Sequence, residues 1–115
     1  MIHYATPYEL AHSQILLATA ELRNQTQADA LRLAALRGVR IYLLLDPMLV
    51  EAPGSYAAAL AFLPEVQIRT LAYAHELLVI DDSLAWLEEP MNPASLSQTF
   101  LALWESADVY VPFWQ

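Results

Sequence analysis

The chain has 115 residues, the length of a single domain, and 57% of them are hydrophobic, which excludes disorder by composition. Thirteen acidic residues against five basic ones give a net charge of −8, so neither nucleic acid nor an anionic membrane is expected as a partner. The absence of cysteine excludes disulfides, thiolate metal sites and a cysteine nucleophile.

The sequence shows neither a membrane span nor an export signal. Its uncharged stretches are shorter than the roughly 20 apolar residues that a membrane helix needs, and no basic start precedes an apolar run at residue 1. We therefore expect a cytoplasmic protein. The mean hydropathy of +0.34 also predicts that a partner covers some of the apolar surface.

The first part of the chain predicts a strand followed by a helix. Residues 1–13 form an irregular N-terminal segment, and residues 14–20 are an apolar run of strand length. Residues 27–37 repeat apolar side chains at helical spacing, and either Asn24 or Thr26 could cap that helix.

The middle of the chain predicts a second strand and a second helix. Gly38 stands where a helix-ending glycine belongs, and residues 39–45 are apolar enough for a central strand buried on both faces. A loop over residues 47–54 leads to Ser55, which could cap an alanine-rich helix that ends before Pro64.

The last part predicts three further strands and a closing helix. Residues 66–71 and 72–80 have strand character, and residues 84–88 would return as the hairpin partner of the second run. A loop follows, then a helix opened by Ser95 or Ser97, and an extended tail over residues 109–114. Helices that alternate with buried strands predict an α/β domain over residues 1–115, with a mixed β-sheet flanked by helices.

The segment between residues 73 and 92 carries the residues on which a function can be argued. Because side chains alternate along a strand, His75 and Leu77 share one face of the predicted strand. Asp82 lies in the predicted turn, seven residues beyond His75, and Asn92 precedes the closing helix.

These spacings resemble the signature of the phospholipase D superfamily, His-x-Lys-x4-Asp followed by Gly-Ser-x-Asn. Here His75, Leu77 and Asp82 stand at the positions of the first three, and Asn92 stands at the last. Residues 35–46 are similar to the family's helix, Arg-Gly-Val, strand and aspartate, and the helix around residues 100–105 resembles its closing helix.

The resemblance implies a phospholipase D-like half-domain in which two copies of the motif complete one site, here in a homodimer. His75 would be the nucleophile that forms a phosphohistidine, or the acid that protonates the leaving oxygen. Asp82 would be the motif aspartate and Asn92 the asparagine that contacts phosphate. Neither a cofactor nor a metal is implied.

This sequence departs from the signature at the position of the lysine. Leu77 has no charge and no donor, and the loss of such a charged donor costs on the order of 3–4 kcal/mol of transition-state stabilisation. Glu89 and Pro90 replace Gly-Ser and bring a negative charge beside the site. Arg40 or Arg69, both on predicted strands, could supply the missing positive charge.

Plainer interpretations stay open for the same residues. His75 could be a packed strand histidine, Asp82 a polar turn residue, and Leu77 part of the core. The acidic residues near His75 could suggest a metal site, but a solvated acidic face fits their spacing better. Asp46 at a strand end invites comparison with a receiver domain, which would need a lysine that this chain lacks.

We therefore interpret the chain as a degenerate phospholipase D-like domain, a non-catalytic binding or assembly module that forms a homodimer and could bind a protein partner. The alternative is a weak phosphodiesterase that uses His75 in a homodimeric site and takes a phosphate-containing ligand. A third interpretation is an unrelated α/β structural protein whose motif match is fortuitous.

Overall fold

A computed structural model describes residues 8–72, 76–81, 84–87, 89–90 and 92–112. Within these ranges, strands and helices follow each other in the order β1 (Gln14–Ala18), α1 (Gln25–Leu36), β2 (Arg40–Leu45), α2 (Ala57–Ala61), β3 (Val66–Thr70), β4 (Leu77–Ile80), β5 (Leu84–Leu87), β6 (Glu89–Pro90), α3 (Pro93–Ser106) and β7 (Asp108–Val109).

The strands form one mixed sheet in the order β6-β5-β4-β1-β2-β3-β7. The central strands β1, β2 and β3 are parallel to one another, whereas β4 runs antiparallel to β1 and β7 antiparallel to β3. The predicted α/β fold, a mixed sheet flanked by helices, is therefore confirmed.

Parallel pairing places the ends of β1, β2 and β3, namely Ala18, Leu45 and Thr70, at one end of the sheet, called the carboxyl end below. The antiparallel β4 begins at that end, because its first residue, Leu77, pairs with Ala18. The opposite end, called the amino end, holds the first residues of the three parallel strands.

Each face of the sheet packs against different helices. The first face carries the larger of two clusters of buried hydrophobic residues. It is covered by α1 and α2, whose buried side chains are mostly alanine and leucine. The second face is covered by α3 and contains Leu16, Ala18, Leu44, Leu77, Val79, Leu96, Phe100 and Trp104. Strand β1 contributes to both clusters, so it is buried on both sides.

The first helix begins at one of the two caps that the sequence offers. The Asn24 side chain accepts a hydrogen bond of 2.9 Å from the backbone N–H of Gln27, which satisfies one of the unpaired donors of the first turn. At the other end, Gly38 has φ +91°, a left-handed conformation that glycine adopts without a Cβ penalty.

The start predicted for the closing helix is wrong. Helix α3 begins at Pro93, and Asn92 is its cap, since its side chain accepts from the Ser95 backbone N–H at 3.1 Å. Asparagine caps a helix as well as serine does, and proline is preorganised for the first helical position. Ser95 therefore lies inside the first turn rather than before it.

Other element boundaries also differ from the predictions. Glu89–Pro90, predicted as loop, pairs with β5 as the two-residue strand β6, where proline is tolerated because the strand lies at the sheet edge. Helix α2 is shorter than predicted, although the Ser55 hydroxyl does accept from the backbone N–H of Ala57 at 3.2 Å. The tail pairs with β3 through Asp108–Val109, and residues 113–114 lie outside the described residues.

Hydrogen bonds of Asp81 link the end of β4 to the start of β1. Its carboxylate accepts hydrogen bonds from the backbone N–H groups of His12, Ser13 and Gln14 at 2.7, 2.8 and 2.9 Å, and from the Ser13 hydroxyl at 3.0 Å. Its backbone N–H donates to the Gln14 carbonyl at 3.0 Å. Asp81 has φ 54°, a left-handed conformation that aspartate tolerates better than most residues.

The same contacts change the acidity of the Asp81 carboxyl. Partial burial opposes its ionisation, but the hydrogen bonds from Gln14, Ser13 and His12 together outweigh this effect and hold its pKa below the ordinary value. Because its pKa is lower in the folded state, Asp81 stabilises the fold above the pKa of the unfolded chain. That contribution is lost as the pH falls through the folded-state pKa.

Replacement of this carboxylate is expected to destabilise the protein at neutral pH. Asp81→Asn keeps the backbone conformation but loses the charge and part of the acceptor set, so the free energy of unfolding should fall by about 1–2 kcal/mol. Urea unfolding at pH 7 measures this loss of stability. The difference in the free energy of unfolding between wild type and variant should become smaller towards pH 2.

Asp46→Asn is the matched control, because the Asp46 carboxylate accepts one backbone hydrogen bond, from the N–H of Met48 at 2.7 Å. Equal losses of stability in the two variants, or a gap that does not narrow with acid, would contradict this role of Asp81.

Candidate functional site

Among the described residues of the carboxyl end, four form one row across β4, β1, β2 and β3 on the second face of the sheet. Leu77 of β4 pairs with Ala18, Ala18 pairs with Leu44, and Leu44 pairs with Arg69. His75 and Asp82, the two predicted catalytic residues nearest to Leu77 in sequence, lie outside the described residues. Their assignment stays a prediction.

Leu77, which stands at the position of the signature lysine, belongs to the hydrophobic core. Its side chain is 0% exposed and lies in the cluster that joins β4 to α3. Burying a leucine to this extent stabilises a fold by roughly 1.5–3 kcal/mol. The interpretation of Leu77 as core is confirmed, and this position presents no donor to a phosphate.

Arg69 is engaged with the end of α3. Its Nη1 donates to the Trp104 carbonyl at 2.8 Å, and its guanidinium lies 4.7 Å from the centre of the Trp104 ring. A cation is favourable beside the last carbonyls of a helix and over an indole face. Arg69 also lies three strands from Leu77, about 14 Å at the usual strand spacing.

Arg40 lies at the opposite end of the sheet. It is the first residue of β2 and pairs with Gln14, whereas Leu44 is the β2 residue at the level of Leu77. Four residues of strand separate the two levels by about 13 Å. In this fold neither Arg40 nor Arg69 is placed to do the work of the lysine within one chain.

Arg23 is an arginine at the carboxyl end that the sequence analysis did not consider. It lies in the loop that follows β1, and its Nη1 is 3.8 Å from a carboxylate oxygen of Glu21. Both side chains are largely exposed, so the pair contributes little stability. Its position just after a predicted strand was the signal that could have drawn attention to it.

Carboxylates outnumber arginines at the carboxyl end. Glu21 and Asp46 follow β1 and β2, Glu51 lies in the loop after β2, and Asp108 pairs with the last residue of β3. A phosphate approaching this end meets repulsion from these charges. Among the described residues, no three histidine or acidic side chains converge as a metal site requires.

A buried polar pair lies under the first face. The Tyr8 hydroxyl accepts a hydrogen bond of 2.8 Å from the Gln27 amide, and both side chains are almost fully buried. Burial raises the pKa of Tyr8 to about 12, and the nearby Glu76 carboxylate adds to the shift, whereas the bond from Gln27 lowers it. The phenol therefore stays protonated at neutral pH. Nothing in the sequence pattern distinguished this pair.

The mixed sheet with α1 and α2 on one face and α3 on the other is a phospholipase D-like fold. Comparison with solved structures carries this assignment, since no family model and no curated protein matches the sequence. NucT from Helicobacter pylori has a TM-score of 0.81 at 14% identity, covering 92% of this chain and 87% of its own.

Two further structures are similar. Nuc, a phospholipase D family member from Salmonella typhimurium, has a TM-score of 0.75 at 14% identity, covering 92% of this chain and 87% of its own. TrmBL2, an archaeal chromatin protein described with a novel mode of DNA binding, has a TM-score of 0.74 at 20% identity over 92% of this chain. The match covers 48% of TrmBL2, so this chain spans about half its length.

The likeness to these structures concerns the fold. The predicted absence of a membrane span is matched in the described residues, where no helix is both long and apolar enough to cross a bilayer.

Asn92, the third predicted site residue, has a structural role that can be measured. Asn92→Ala removes the cap of α3 and should lower the free energy of unfolding by about 1 kcal/mol. Asn92→Asp keeps an acceptor at the same place and adds a charge that the helix N-terminus favours, so its stability should stay close to wild type. Urea unfolding of the three proteins provides the measurement.

Equal stability of Asn92→Ala and wild type would contradict the capping role. A stability loss in both variants would show that the amide itself, rather than an acceptor at the cap, is required.

Proposed function

We propose that this chain is a non-catalytic phospholipase D-like module that pairs with a second copy of itself and binds a protein partner. The observation that carries the proposal is the complete burial of Leu77 at the position where the signature has its lysine. A core side chain there removes a charged donor from each half of a two-fold site. Such donors are usually the largest source of stabilisation for a developing oxyanion.

The charges of the carboxyl end support the same proposal. Arg69 is bound to Trp104, Arg40 lies at the amino end, and Arg23 is beside Glu21. Phosphodiester chemistry needs positive charge around the phosphoryl oxygens, and the carboxylates of this end act against it.

The partner is proposed to be a protein rather than a nucleic acid. The chromatin protein TrmBL2, whose description includes DNA binding, shares the fold. This chain, however, has thirteen acidic residues, five arginines and no lysine, and a nucleic-acid backbone is attracted by the opposite balance.

A phosphodiesterase that acts through His75 is the alternative. It is supported by His75, Asp82 and Asn92, which keep the signature spacings. One assay separates the two functions, because a phosphohistidine mechanism depends on a single side chain.

We expect no hydrolysis of bis(p-nitrophenyl) phosphate above background at high protein concentration. Wild type, His75→Ala and His12→Ala should give the same rate, because Leu77 supplies no charged donor at the position of the signature lysine. His12→Ala is the matched control, since His12 lies at the amino end, next to β1. Release of p-nitrophenolate is followed by absorbance.

Turnover that His12→Ala retains and His75→Ala loses would overturn the non-catalytic proposal and establish the phosphodiesterase. A low rate common to all three proteins would instead identify a contaminant.

Pairing of two copies is proposed to occur through the carboxyl ends, where the two copies of His75 would face each other. Met48 lies in the loop after β2 at this end and is 86% exposed, the highest value among the large apolar side chains of the described residues. The acidic residues of the two ends would repel each other, so pairing should strengthen as salt screens them.

The prediction is a dimer of the 12.9 kDa chain whose fraction rises between 50 mM and 500 mM NaCl in sedimentation equilibrium. Met48→Glu places a further charge in the interface and should give a monomer. Phe62→Glu is the matched control, because Phe62 is 74% exposed but lies near the start of β3, at the amino end.

A monomer under all conditions would contradict the pairing. Dissociation by Phe62→Glu and not by Met48→Glu would place the interface at the amino end.

A further inference from the structure

Strand β7 is the outer strand at one edge of the sheet, next to β3. Val109 pairs with Arg69 and Asp108 with Thr70. Beyond the strand itself, the Tyr110 backbone N–H donates to the Ile68 carbonyl at 3.1 Å. The chain therefore follows β3 in an extended conformation from residue 108 to at least residue 110.

The hydrogen-bonding groups of this segment alternate between the two sides. In an antiparallel pair, residues that bond the neighbouring strand alternate with residues whose N–H and C=O point away from it. Because Tyr110 bonds β3, the N–H and C=O of Val109 point to the open side, and the same alternation carried two residues further would point those of Val111 there. Their side chains are 68% and 63% exposed.

Carboxylates lie near β7. Asp108 belongs to the strand and is exposed, as is Glu105 at the end of α3, and Glu51 accepts a hydrogen bond from the Tyr110 hydroxyl at 3.1 Å. Arg69, the cation closest to β7 in the sheet register, contacts Trp104 at the end of α3. Three carboxylates therefore stand near β7 against one arginine, which is already paired.

A groove of about 250 Å³ extends from β7 along the edge of β3. Its lining includes apolar side chains of Val66, Ile68, Tyr110 and Pro112, and also the paired side chains of Arg69 and Trp104. The groove could receive a side chain of a peptide that continues past β7, since alternate residues of an added strand point to the same face.

We propose that the open side of β7 binds an extended cationic segment of another protein, which adds to the sheet as a further strand. Backbone hydrogen bonds to Val109 and Val111 provide the pairing, and the carboxylates select lysine or arginine at the flanks. A second copy of this chain fits less well, because each copy carries a net charge of −8 and the same carboxylates would meet. Glu51 and Asp108 also lie at the carboxyl end, so this site borders the proposed pairing surface, but Met48 is not part of it.

The test is a titration with the heptapeptide acetyl-(Lys-Val)3-Lys-amide, followed by isothermal calorimetry. Its controls are the glutamate counterpart and a peptide of the same sequence in which every residue is N-methylated, so that neither edge of the peptide has an N–H to donate. The lysine peptide should bind, more weakly at high salt, and both control peptides should bind at least tenfold more weakly.

Val109→Pro removes an outward N–H without touching the bonds from Asp108 and Tyr110 to β3. It should weaken binding about fivefold or more, as expected for a lost backbone hydrogen bond. Val109→Thr keeps the N–H and the shape and should bind like wild type. Urea unfolding verifies that the variants fold, and Val111→Pro repeats the test at the next outward residue.

The proposal is overturned by equal binding of the N-methylated and unmodified peptides, by wild-type binding in both proline variants, or by no binding at millimolar peptide. Self-association that Val109→Pro abolishes would assign the edge to a second copy instead. None of these results bears on the hydrolysis assay. Met48→Glu, which should be a monomer, should still bind the lysine peptide, so the pairing and the peptide site can fail separately.

Discussion

The pairing of β1 with β2 on one side and β4 on the other is the constraint on which the rest of the structure depends. It joins a parallel half of the sheet to an antiparallel half and so brings the start of β4 to the carboxyl end. Ile15, Leu16 and Leu17 of β1 are buried on both faces of the sheet, and the Asp81 carboxylate accepts hydrogen bonds at the start of β1. The placement of Leu77 beside Ala18, and hence of the candidate site, follows from this register.

The apolar pattern predicted most strands and the α/β class, because burial on one or both faces leaves a period in the sequence. The start of α3 was harder to predict: the sequence analysis favoured Ser95 or Ser97 as the cap, whereas Asn92 caps the helix with Pro93 at its first position. The contacts of Asp81 with residues 12–14 and of Arg69 with Trp104 join distant parts of the chain, so no local spacing could reveal them. Residues 75 and 82 of the candidate site remain predictions from the motif alone.

Leu77 shows how a hydrophobic side chain stabilises this fold at a position where the phospholipase D signature has a lysine. A lysine that faces a phosphate must remain solvated or paired, and burying such a charge costs several kcal/mol. A leucine at the same register position adds to the core under α3 instead.

The two edges of the sheet are unequal, and this limits how the molecule could polymerise. Both edge strands have two residues, but one of those in β6 is Pro90, and proline at an edge limits further pairing. At the β7 edge, no described residue pairs with the outward groups of Val109. A fibre that grows by edge-to-edge pairing needs two edges that can pair on every subunit. A subunit with one such edge forms a single pair, and growth then stops.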